Sequence, residues 1–138
     1  MEHALASLLL GYPTLAVLVG DRINWNLYPQ GIASPAIRLS VVSSVASYHM
    51  QGQDSLGDAR VQIDVRAESK PGDDAAGYRI AHEVAAAVKA LLSGYRGTAA
   101  GRHFAGVFLV SERQTAEKAE STLYHLFSMD FQVWSRPA

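Results

Sequence analysis

The segment Ala59–Ala67 constrains the fold of this chain more than any other stretch. Val61, Ile63, Val65 and Ala67 take one parity, and Arg60, Gln62, Asp64 and Arg66 take the other. A pleated strand here is apolar on one side and charged on the opposite side. Strands of a parallel sheet covered on both faces read as continuous apolar runs, so this alternation predicts an antiparallel sheet packed on a single side.

Two more segments repeat the pattern. Ile37, Leu39 and Val41 alternate with Arg38 and Ser40, in a strand continuing to Val45. Between about Leu123 and Trp134, Phe127, Met129, Phe131 and Val133 alternate with Ser128, Asp130 and Gln132. Phe104–Val110 is apolar on both parities, which predicts a central strand or one capped on its second face.

Helical periodicity accounts for much of the remainder. Leu5, Leu8 and Leu9 share a helix face that Gly11-Tyr12-Pro13 interrupts; Pro13 suits the first turn of a second short helix, with Leu15, Leu18 and Val19 as its stripe and Gly20 as its end. After Lys70-Pro71-Gly72, Asp73 or Asp74 can cap a longer helix whose stripe is Ile80, Val84, Ala87, Val88 and Leu91, closed by Gly94. The segment 94–101 reads as a flexible link. The expectation is an α+β fold for residues 1–138 as one domain: a mainly antiparallel four-stranded sheet in hairpin–helix–hairpin order, with the N-terminal helices and the central helix on its apolar face.

Composition limits the chemistry. The chain has 138 residues, enough to bury roughly two thirds of its unfolded surface in one core. It contains no cysteine, which excludes disulfides, thiolate zinc sites and cysteine nucleophiles. A net charge of −1, from 12 basic and 13 acidic residues spread along the chain, gives no electrostatic footprint for nucleic acid or anionic membranes. The acidic start and short apolar run of residues 1–10 lack the basic flank of a signal peptide and the length of a membrane span.

No catalytic motif stands out. The five histidines fall in five separate segments without metal-ligand spacing, and there is no His-Glu-x-x-His or Gly-x-Ser-x-Gly. The Gly94–Gly101 glycines follow a helix and lack a P-loop ending. Asp64 and Asp130 share outward strand faces and could be imagined as a metal or general-acid pair. Arg38, Arg60 and Arg66 on the same side favour cross-strand ion pairing instead. No catalytic, metal or cofactor residue is assigned.

The polar surfaces are therefore the candidate contact sites. They are the aromatic, proline-punctuated loop with Trp25 and Tyr28; a hairpin tip with His49, Gln51 and Asp54; the charged strand face of Arg60, Gln62, Asp64 and Arg66; and a second polar tip, 112–122, with Glu112, Arg113 and Glu117.

The chain also resembles a known family. The leucine-rich start running into Gly20-Asp21-Arg22-Ile23, the Pro29-Gln30-Gly31 loop, Pro35-Ala-Ile-Arg-Leu39, Ala59-Arg-Val-Gln-Ile-Asp-Val65 and the closing Asp130-Phe-Gln-Val-Trp134 are similar in order and spacing to tail-completion, or tail-terminator, proteins of long-tailed bacteriophages and gene transfer agents. It departs from them in residues 24–28 and 94–101. The resemblance implies a small α+β structural protein without an active site, made in the bacterial cytoplasm. It would assemble as a six-fold homo-oligomeric ring at the head-proximal end of the tail. Implied partners are other copies of itself, the major tail tube protein and the head–tail connector or stopper protein. No membrane, cofactor or sequence-specific nucleic acid is implied, although DNA can pass through such a ring. Weighed against this are a small metal-dependent enzyme using Asp64 and Asp130, and a generic oligomeric adaptor.

Overall fold

The computed structural model describes residues 1–45, 48–49, 52–53 and 57–138. Helices α1 (Glu2–Leu10) and α2 (Pro13–Val19) lead into strands β1 (Ile23–Trp25) and β2 (Ala36–Val45). The short pair β3 (Tyr48–His49) and β4 (Gly52–Gln53) follows, then β5 (Gly57–Glu68), α3 (Ala76–Leu92), β6 (Gly97–Ala99), β7 (Arg102–Ala119) and β8 (Thr122–Pro137). The main sheet is six-stranded in the order β1-β2-β5-β8-β7-β6; β3 and β4 form a separate ribbon.

The alternating segments become its middle. β5 runs antiparallel to both β2 and β8, with Ile63 opposite Leu39 on one side and Met129 on the other. Because side chains alternate strictly along a strand, this register puts every predicted inward residue on one face. Val61, Ile63, Val65, Phe127, Met129 and Phe131 are buried there with Leu5, Leu9, Leu15 and Val19 of the two N-terminal helices. Those helices start and stop where expected: Pro13 opens α2, and Gly20 ends it at φ 58°, a conformation glycine adopts without steric cost.

The four-stranded expectation is too small. β1 adds in parallel alongside β2, through Ile23–Ile37 and Trp25–Leu39, and β6 adds to the start of β7. Both lie in segments read from sequence as loop and link. Each is only three residues long and is set by the neighbouring strand, so its own composition carries no period to detect. Phe104–Val110 is central only at Phe104, which pairs with β6 and β8. β6 pairs only with Arg102–Phe104, and beyond that β7 forms the sheet margin, with Phe108 and Val110 exposed.

Helix α3 lies across the inner face with its small residues against the sheet. Ala81, Val84, Ala85, Val88 and Leu92 are buried, whereas Ile80 and Leu91 of the expected stripe pack only at its margin. The helix approaches closely at Gly77, where a Cβ would stand 2.9 Å from the Ala67 carbonyl oxygen, the Ser69 nitrogen and the His125 ring. Its first turn is not capped in the expected way. Ala75 occupies the cap position, while Asp73 accepts the Ala75 N–H at 3.2 Å and pairs with Arg79 at 2.5 Å.

Candidate assembly surface

The sheet's outer face has two unlike halves. Over β2 and β5 it is roofed by residues 26–35. The chain turns out of β1 at Asn26, whose φ of 69° is tolerated by asparagine, and the Asn26 N–H donates to the Leu39 carbonyl at 2.7 Å. The segment returns beside the end of β5, where Ser34 Oγ accepts the Glu68 N–H at 2.8 Å. Between these anchors Tyr28 lies on the strands, its hydroxyl donating to the Asp64 carbonyl at 3.2 Å.

Beneath that roof Asp64 is 1 % exposed. Arg38 donates to its Oδ2 from Nη2 at 2.6 Å and from Nε at 3.1 Å, and Gln62 donates to Oδ1 at 2.8 Å. A buried carboxylate is tolerable when it is paired and hydrogen-bonded, and here both oxygens are engaged. The Arg38 guanidinium stands 5.0 Å from the Tyr28 ring centre. Arg66 lies 4.1 Å from that ring and 5.0 Å from the ring of Tyr124 on β8, a cation held between two aromatic rings. Burial, reinforced by the Asp64 charge, raises the Tyr28 pKa well above the usual tyrosine range, so the phenol stays neutral.

Over β8 and β7 the same face is bare of any described segment. Asp130 Oδ2 accepts from Ser111 Oγ at 3.2 Å and faces Arg113 Nη1 at 3.5 Å, while its buried Oδ1 has no hydrogen-bond partner among the described residues. Phe108 and Trp134 on this face are 53 % and 36 % exposed, and Val110, the extra residue of the β7 bulge beside them, is 47 % exposed. The Phe108 ring leans over Gly106, the residue opposite Trp134, where a Cβ would approach it to 2.8 Å. A glycine on an otherwise bulky strand thus makes room for an aromatic that stays in solvent. Large apolar side chains gathered on an exposed surface mark contact sites.

The residues expected to make contacts separate accordingly. Tyr28, Gln62, Asp64 and Arg66 come together at the roof, with Asp64 buried and the other three half-buried, contrary to the expectation of an open charged face. Trp25 packs in β1 against the core. Arg60 is half-buried on β5, opposite Ser43 and Gln132. Glu112 bonds Lys89 of α3 at 2.9 Å, while Arg113 and Glu117 are exposed on the β7–β8 hairpin. The backbone of His49 lies in β3; Gln51 and Asp54 fall outside the described residues. Phe108, Trp134 and Tyr124 were missed, although the outward parity of Trp134 and Tyr124, matching Ser128 and Asp130, would have found two of them.

Among the described residues no group of three or more His, Cys, Asp or Glu is placed to hold a metal ion. An open cleft of about 540 Å3 lies beside the β7–β8 turn, lined by Glu68, Lys70, Asp74, Lys118 and Ser121 among others. Among those residues no single helix is long and apolar enough to cross a membrane; α1 and α2 meet at 83°.

Comparison with known proteins decides the family. The model of the family described as "Tail completion protein gp17" matches residues 3–136. The chain belongs to the tail completion family. Its fold is also that of a chain in the solved structure "Virion of native gene transfer agent (GTA) particle", with a TM-score of 0.73 at 21 % identity over 99 % of this chain and 94 % of that one. No curated protein matches. Tail completion is a structural role, consistent with the engagement of both Asp64 oxygens inside the fold.

Proposed function

We propose that this tail completion protein closes into a six-fold ring on the head-proximal end of a tail tube. There it stops addition of the major tail tube protein and gives the head connector a surface to dock on. In a phage or a gene transfer agent particle, the work is done by contact. The observation that carries this reading is the bare half of the outer face, where Phe108, Val110 and Trp134 are exposed beside a charged hairpin. A ring requires two different patches of one subunit to meet. The roofed half and the bare half of one sheet supply patches of different chemistry, and the long β7–β8 hairpin supplies reach.

Deleting the gene and imaging the particles tests the proposal. It predicts tails of uncontrolled length and heads without tails. Full-length tails joined to heads would contradict it.

A further inference from the structure

β7 has a strand beside it on its outer side only at the start. β6 pairs with Arg102–Phe104, and the Gly94 N–H donates to the Val107 carbonyl at 2.7 Å. Beyond Val107, no described strand lies alongside. After the bulge between Leu109 and Ser111, β7 runs regularly from Ser111 to Ala119 and ends at Glu120, where the chain turns at φ 56°. Such an edge presents a row of unpaired N–H and C=O groups and invites another strand.

The charges along this run are self-complementary. We propose that two copies of the free chain join edge to edge through Ser111–Ala119, antiparallel, about a two-fold axis at Thr115. The axis stands perpendicular to the sheet, so each side chain keeps its face. Glu112 of each copy then faces Lys118 of the other on the helix side, and Arg113 faces Glu117 on the outer side. The run also pairs with itself along its full length, since Ser111 and Ala119 are equidistant from Thr115.

Other centres do worse. Centring on Glu112, Arg113, Glu117 or Lys118 sets a charge against its own copy. Centring on Gln114 pairs no charges, and centring on Ala116 sets Glu112 against Glu120. Opposite charges directly across an antiparallel pair stabilise it and like charges destabilise it. The partners are available: Glu117 and Lys118 make no ion pair among the described residues, Arg113, 3.5 Å from Asp130, is exposed and keeps further donors free, and the Glu112 carboxylate, which takes Lys89 at 2.9 Å, can accept a second donor. This dimer goes beyond the ring reading. It concerns the protein in solution and stands or falls there, whatever particles show.

Sedimentation equilibrium of the purified chain over micromolar concentrations tests it, with a species of twice 14.9 kDa expected. Glu117→Arg sets a cation against Arg113 at both ends of the contact and should weaken association by roughly tenfold, and Arg113→Glu/Glu117→Arg should restore it. Thr115→Cys, in a chain without other cysteines, should crosslink to a disulfide dimer on mild oxidation, because residues directly opposite in antiparallel strands lie about 4.5–5.5 Å apart, within disulfide range. Ser43→Cys on β2 should not. A monomer at every concentration, a dimer indifferent to Glu117→Arg, or one that Thr115→Cys fails to crosslink would overturn the proposal.

Discussion

Asp64 and Asp130 both point to the outer face, from adjacent strands, yet they live differently. Asp64 sits under Tyr28 with both oxygens bonded, whereas Asp130 shares one oxygen with Ser111 and an exposed Arg113 and the other meets no partner among the described residues. One loop makes the difference. Where residues 26–35 cross the strands, outward polar residues gather into a second, polar cluster; where no described segment crosses them, apolar side chains such as Phe108 stay exposed. The same alternation in sequence thus serves stability in one half of the sheet and, in the proposed ring, contact in the other.

The largest expected effect comes from removing the roofed carboxylate. Asp64→Ala leaves Arg38 half-buried without its partner and should cost about 3 kcal/mol in urea unfolding. Asp130→Ala should cost less than about 1 kcal/mol. Equal losses would erase the distinction between the halves.

A second prediction acts on the roof. Tyr28→Phe removes the hydrogen bond to the Asp64 carbonyl and should cost about 1 kcal/mol near neutral pH. Its pH dependence has a definite sign. The folded-state pKa of Tyr28 is raised by burial above its ordinary value of 10.0, so above about pH 10 the unfolded chain binds fewer protons than the native one and stability falls as pH rises. Wild type should lose stability through that alkaline range more steeply than Tyr28→Phe; parallel profiles would show that the phenol is not held neutral by the fold.

The smallest effect on stability falls in the bare half. Phe108→Ser should change unfolding by no more than about 0.5 kcal/mol while impairing incorporation into particles, read by how much of the variant co-purifies with tails. A large loss of stability with normal incorporation would reverse the assignment of that half.

How legible this was in sequence depended on where the information lay. The inward faces of β2, β5 and β8 and the ends of α2 follow from local periodicity and from Pro13 and Gly20, so they could be read directly. The roof could not. That Tyr28 would lie on Asp64 is decided by the return of the chain from Asn26 to Ser34 across strands far away in sequence. β1 and β6 are likewise three-residue strands that exist because a neighbour offers an edge. The stripe of α3 shifted toward alanine because the helix approaches the sheet at Gly77, a distance that no hydrophobic pattern encodes. The bare half is partly readable: the run Phe104–Val110 is apolar on both parities, which predicts a central or capped strand, but nothing local says that Phe108 and Val110 stay exposed.

Electron microscopy of purified particles carrying a small tag on the exposed hairpin turn at Ser121 tests the central claim most directly. The expected result is a single collar of tag density, with six-fold symmetry, where the tail meets the head. Tag density repeated along the tube, or none at the junction, would contradict it.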